Sequence, residues 1–273
     1  METLAPGVKA LTVAADRVVA GVCRCESLLV PRRTAWSAAG MELSILYEDN
    51  HLLVVDKPAG MLSQSAEAGD DNLVVAAQRY LKERYGKPGN VYVGLVHRLD
   101  RMTSGTMVLA KTSKAAERLS RAFREHKVDK RYLAVVAGVT APAQTLVDAL
   151  LSDEQGSRVV VGHADAKRAE LHYRRHSSST SPIASSLLEV ELGTGRKHQI
   201  RVQLASRGHA LIGDRRYGLR EHDVLIARVA LHAWKIALTH PVRGDELSWV
   251  APIPKDFSML MERLGLALKP DGP

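Results

Sequence analysis

His97-Arg98-Leu99-Asp100-Arg101-Met102-Thr103-Ser104-Gly105 is the stretch from which the rest of the chain can be read outward. Val91–Leu95 before it and Thr106–Lys111 after it are short apolar runs of β type, so the nine residues form a polar loop between two strands. The loop sets one carboxylate between two arginines and follows it with two hydroxyls and a glycine. Cationic neighbours favour the ionised form of Asp100. An ionised carboxylate can serve as nucleophile or general base. The bland alternative is a loop aspartate that bridges an arginine and caps a turn, the commoner fate of an arbitrary Asp.

Upstream, Leu43–Glu48 and His51–Asp56 are β-type runs joined by Asp49-Asn50, a hairpin-like turn signal. Asn72–Tyr85 has helical periodicity, with Asp70 and Asp71 available as caps and Gly86 as a stop. Downstream, Ser113 can cap a helix running to His126. Its apolar face carries Ala116, Leu119 and Phe123, and Lys114, Arg118 and Arg121 form a basic stripe on the other flank. Lys130–Val136, Glu170–Arg174, Leu187–Leu192, Leu231–Leu238 and Leu247–Val250 are further strand candidates; His198–Ser206 is a short helix and Ser177–Ser186 a serine-rich loop. Strands outnumber helices and no regular βαβ alternation occurs. The expected fold is therefore α+β, a single domain with a central mixed, mainly antiparallel sheet flanked by helices.

Composition narrows the function. A hydrophobic fraction of 45% in 273 residues supports a buried core, and no apolar run reaches membrane-spanning length. Cys23 and Cys25, the only cysteines, suit neither a disulfide framework nor a four-ligand zinc site, which leaves a reducing compartment as the default. Net charge is +8. It is concentrated: residues 96–132 carry ten Lys/Arg against four Asp/Glu, and residues 193–220 seven against one. Such localisation fits a phosphate-binding surface, or else two solvated basic faces. On the first view Lys114, Arg118, Arg121, Arg196 and Lys197 would converge on one face around Asp100.

His-Arg-Leu-Asp is not the kinase catalytic loop, whose order is His-Arg-Asp; no Gly-rich phosphate loop precedes it and Asp256-Phe257-Ser258 does not supply the later kinase motif. No Walker A or dinucleotide fingerprint occurs either, since Gly193-Thr194-Gly195 meets His198 where a third glycine is needed. What the chain resembles is the RluA-type pseudouridine synthase family. Ile45–Asp49 through Val54-Val55-Asp56-Lys57-Pro58-Ala59-Gly60 is similar to that family's opening strand pair and Lys-Pro-x-Gly turn. His97–Asp100 with Thr103–Gly105 resembles its catalytic signature, and Lys130-Arg131-Tyr132 the strand bearing its active-site tyrosine. Thr194–Arg201, Gly213-Asp214-Arg215-Arg216-Tyr217-Gly218, and Leu231-His232-Ala233 with His240-Pro241 continue the match in order, over about residues 42–257.

The resemblance implies conversion of uridine to pseudouridine in structured RNA, ribosomal or transfer, without metal or organic cofactor. It makes Asp100 the essential aspartate, as nucleophile or in proton abstraction from the sugar, and pairs Arg201 with it. It stacks Tyr132 on the target uracil, places Leu231 below the base, and lets Arg98 take the space of the flipped-out nucleotide. A base inside a stem must be extruded to expose C1′, at a cost of a few kcal/mol, and stacking returns about 1–3 kcal/mol. With aromatics at only 4%, one well-placed tyrosine carries that task. Taken singly, Tyr132 and Leu231 would read as core, Arg201 as surface, and His97, His198 and His232 as structural hydrogen-bonding groups.

Residues 1–40 are too few for the S4-like domain of many family members and are read as an extension of unknown role, with organelle targeting left open. Residues 41–262 are read as the catalytic domain and 263–273 as a tail. A cytoplasmic enzyme with no membrane or protein partner is expected. The rival from another class is a non-catalytic RNA-binding or chaperone protein on the same fold, which would have no need of Asp100, Tyr132 and Arg201 together.

Overall fold

Alternation of buried and half-buried residues in Leu43–Glu48 (β2) and a fully apolar Leu52–Val55 in Leu52–Lys57 (β3) fit an outer and an inner strand of one sheet. A computed structural model of the chain describes residues 33–35, 43–65 and 71–269. Most of the expected 1–40 extension lies outside the described residues; within it Arg33–Ala35 (β1) pairs antiparallel with β2. Twelve described strands form one sheet. The others are Gly94–Leu95 (β4), Ser104–Ala110 (β5), Asp129–Ala137 (β6), Ala143–Ser152 (β7), Ser157–Val160 (β8), Lys167–Ser179 (β9), Ser185–Leu192 (β10), Leu231–Thr239 (β11) and Glu246–Val250 (β12). The main path runs β1-β2-β3-β5-β11-β6-β10-β9-β7-β8, with β4 on β5 and β12 on β11. Among the described strands only β5 and β11 pair in parallel, so the sheet is mixed and mainly antiparallel.

The two sheet faces carry different helices. Leu73–Tyr85 (α1) and Gln199–Ala205 (α3) pack on the front, where Met107, Leu109, Tyr132, Leu231, Ile200 and Leu204 join one core cluster. Ser113–Arg124 (α2) packs on the back against Val108 and Ala110, and Lys255–Arg263 (α4) on the back against Leu133 and Val135. α1 and α3 thus share the front face, with α2 and α4 on the back. No described helix is long and apolar enough to cross a membrane.

Several boundaries differ from expectation. Asn72, not Asp70 or Asp71, caps α1, accepting from the N–H groups of Val74 and Val75 with an extended backbone; Gly86 ends the helix in the left-handed region at φ 57°. Thr112, one residue before Ser113, caps α2. β7, β8 and α4 arise where no element is expected, and Ser177–Ser179 and Ser185–Ser186 continue β9 and β10 rather than forming loop. The expected tail begins inside the core: Leu264 and Leu266 are buried beside Phe257, and the Ala267 N–H donates to Ser177 Oγ. Apolar side chains at both positions draw this segment onto the sheet.

Candidate active site

The loop that carries Asp100 is fastened at nearly every residue. His97 Nε2 accepts the Val108 N–H at 2.9 Å, and its ring stacks on Phe123 at 4.5 Å. Burial, with the Lys130 charge nearby, pushes its pKa down to about 3, so the imidazole is a neutral acceptor. Leu99 is buried, and its N–H and C=O both bond Ser63 Oγ. Arg101 exchanges backbone and side-chain hydrogen bonds with Gly60. Beneath lies Lys57, fully buried, whose ammonium spends three donors on the carbonyls of Pro58, Met61 and Arg101. Burial lowers its pKa to about 8 against the opposing pull of Asp100. The Lys-Pro-x-Gly turn and the Asp loop are thus one unit, tied through Lys57. At the loop's exit Gly105, with φ +118°, lies so close to β11 that a Cβ there would fall 2.2 Å from the Ala233 carbonyl oxygen.

From the other side α3 presents Arg201. Its Nη1 donates to Asp100 Oδ2 at 3.0 Å, while Nε and Nη2 grip the two oxygens of Asp214 at 2.7 and 2.8 Å. The Asp214 side chain has no exposed surface, and its Oδ1 also accepts the N–H groups of Arg216 and Tyr217. Burial pushes Asp214 up, but the Arg201 bonds and charge outweigh it and leave the carboxyl below its ordinary value. Burial likewise opposes the Arg201 charge, yet its two carboxylate partners raise its pKa. Tyr217 covers the guanidinium at 5.1 Å. Asp100 keeps 30% of its side-chain surface exposed and opens into a cleft of about 610 Å³ lined by Arg101, His198, Asp214, Arg216 and Arg228 among others.

Tyr132 and Leu231 lie on neighbouring strands with β6–β11 pairs Tyr132–Ala233 and Ala134–Leu231, both in the front cluster. Burial, with the negative charge of Asp100, raises the Tyr132 phenol well above its ordinary value. Arg98 is exposed on the loop and has no hydrogen-bond or ion-pair partner among the described residues.

Residues 51–206 match the RNA pseudouridylate synthase family. The chain belongs to that family, and to its RluA type. It is 37% identical over 255 residues to the ribosomal large subunit pseudouridine synthase D of Zymomonas mobilis, covering 89% of this chain and 79% of the relative. To the protein of the same name from Pseudomonas aeruginosa it is 37% identical over 243 residues, 84% of this chain and 74% of that one. Human RNA pseudouridylate synthase domain containing 4 superposes with a TM-score of 0.69 at 25% identity, covering 82% of this chain and 94% of that one. The chain is accordingly an RNA pseudouridine synthase, an isomerase.

Not every expected residue of this pseudouridine synthase comes together. Asp100 and Arg201 meet, and Tyr132 and Leu231 share the front face. The basic segments converge only in part: Arg101 of the first meets Arg201, Arg215 and Arg216 of the second at the cleft, but Ala115 and Leu119 hold α2 on the back of the sheet. Lys114, Arg118 and Arg121 go with it; Arg118 donates to the Pro241 carbonyl and Arg121 pairs with Glu117. Arg196 and Lys197 sit beside His198, but Arg196 donates to the Arg168 carbonyl and the Lys197 ammonium to those of Asp153 and Glu154. The cations lining the cleft beside Arg201 are Arg101, Arg215, Arg216 and Arg228. Arg228 is itself buried and forked onto Asp256. Sequence reasoning places no role on Asp214, Tyr217 or Lys57, although each lies in a quoted motif; a carboxylate between a glycine and two arginines is the available signal.

Proposed function

We propose that the enzyme isomerises a uridine of large-subunit ribosomal RNA, in a cytoplasmic setting, with Asp100 as the catalytic carboxylate. The substrate rests on the names of the relatives, which cover most of this chain. In the reaction the N1–C1′ bond breaks, the uracil turns while held, C5 joins C1′, the C5 proton leaves and N1 gains one. The extruded nucleotide enters the cleft over Asp100. Tyr132 and Leu231 support the base, and Arg98, exposed and without a partner among the described residues, fills its place in the helix. Asp100 either attacks C1′ or takes a proton from the sugar. Domain limits of 41 to about 269 fit this reading, with the last six residues drawn in by Leu264 and Leu266.

The observation that carries the proposal is the 3.0 Å contact of Arg201 with Asp100, made by a guanidinium already fixed by buried Asp214. A loop aspartate that merely capped a turn would not need a braced cation. The test is tritium release from [5-³H]uridine-labelled ribosomal RNA by Asp100→Asn, which keeps size and removes charge. Release should vanish while RNA affinity persists. Substantial release by the variant would sink the assignment, and a wild-type protein that binds RNA without releasing tritium would favour the binding-protein reading.

A further inference from the structure

We infer that His198 is a positioning residue for Asp100: Tyr217 holds it as the Nε2–H tautomer, which turns its N–H toward Oδ2 and leaves Oδ1 to meet the sugar. This rests on the reading of Asp100 as the catalytic carboxylate.

The tautomer follows from counting donors. Tyr217 Oη accepts the backbone N–H of Ser157 at 2.9 Å, a contact in which the nitrogen can only donate. The phenol's other contact is His198 Nδ1 at 2.9 Å. If the phenol proton goes to that nitrogen, the phenol oxygen, its proton and Nδ1 are all satisfied; otherwise the phenol proton has no partner among the described residues. Nδ1 is then the acceptor and the imidazole proton lies on Nε2. That nitrogen stands 3.7 Å from Asp100 Oδ2. The separation is too long for a hydrogen bond in the free enzyme, and catalytic contacts of this kind tighten when substrate closes the site.

The backbone supports a dedicated role. His198 adopts φ 55°, a left-handed conformation uncommon for a side chain of this kind, at the N-cap of α3 without capping it. Its place in the helix therefore does not explain its conformation. Three elements face the ring: the Asp100 loop, α3 through Arg201, and the 213–218 loop through Arg216 and Tyr217; Lys197 adjoins it in sequence, and Ser157 of the β7–β8 hairpin reaches it only through Tyr217. Burial and the three cations lower the imidazole pKa, with only Asp100 opposing, so the ring is neutral and its tautomer decides what it offers. Arg201 and His198 both address Oδ2. Oδ1 accepts no hydrogen bond among the described residues and is the oxygen left for chemistry.

The test uses the full chain with a labelled ribosomal RNA fragment under single-turnover conditions, with binding measured separately. His198→Ala should slow the chemical step by about 10- to 100-fold, the worth of one hydrogen bond to a charged group, with RNA affinity within about twofold. His198→Gln, whose amide N–H falls near Nε2, should recover most of that rate, which a merely structural role would not predict. Nitrogen-15 NMR of the labelled ring should show the proton on Nε2 in wild type and a tautomer mixture in Tyr217→Phe. Unfolding curves identify a variant that fails to fold, in which case the Tyr217→Phe rate and the NMR spectrum decide. A wild-type rate for folded His198→Ala, or a proton found on Nδ1, overturns the inference. Such a result beside an inactive Asp100→Asn would leave the catalytic aspartate standing, whereas an active Asp100→Asn would remove the reading beneath it.

Discussion

Arg201→Met should cost the enzyme stability as well as turnover, and the two losses should be separable. Arg201 does two jobs: it faces Asp100 with Nη1 and neutralises Asp214 with its other two nitrogens. Asp100 is 30% exposed, so losing the cation there is screened by water and affects folding little. Asp214 has no exposed side-chain surface and would keep only the N–H groups of Arg216 and Tyr217. Stranding a buried carboxylate by removing its partner costs about 3–5 kcal/mol. Against a typical total of about 5–15 kcal/mol, such a variant stays measurable by urea unfolding. Adding Asp214→Asn removes the stranded charge, so the double variant should regain most of the missing stability while its tritium release stays abolished. A loss below about 1 kcal/mol in Arg201→Met would refute the buried ion pair. Recovery of tritium release in the double variant would refute any function of Arg201 toward Asp100.

Two further outcomes follow from the geometry. Arg215→Gln with Arg216→Gln should weaken RNA binding and reduce its salt slope by about one for each phosphate no longer neutralised, while Arg118→Gln with Arg121→Gln should change neither; filter binding across a salt series distinguishes them. Stability should fall on acidification, because His97 and His232, held neutral by burial with pKa values of about 3 and 4, bind protons near 6.5 only when the chain unfolds. Both folded values are depressed, so their contribution is present above about pH 6.5 and fades toward pH 3–4, at about 2 kcal/mol per pH unit between pH 6 and 5. Urea midpoints unchanged between pH 7 and 5 would contradict it.

Legibility in the sequence follows burial on one side. Strands with a motif attached, such as Lys130-Arg131-Tyr132 or Leu231-His232-Ala233, are located to within a residue or two, because a glycine, a proline or a charge marks where each begins. β7 is not, since Leu146 and Leu150 are its most deeply buried apolar positions and stand four apart, a spacing that suits a helix as well as an edge-side strand. α4 and the turn after it carry Phe257, Leu260, Met261 and Leu264 at helical spacing, so the signal is present but lies outside any chemical motif. The basic stripe of α2 misleads for a deeper reason. Which sheet face a helix covers is set by whether odd or even residues of its neighbouring strand point to that face. All seven residues of β5 are buried, so Ser104–Ala110 has no polar alternation to reveal which side is which. The same two-sided burial gives the strand its rigidity and lets it hold the Asp100 loop in place. A central strand rigid enough to anchor the catalytic carboxylate is therefore one whose sequence cannot report which face the RNA meets, and that information comes only from the packing of Met107 and Leu109 on one side and Val108 and Ala110 on the other.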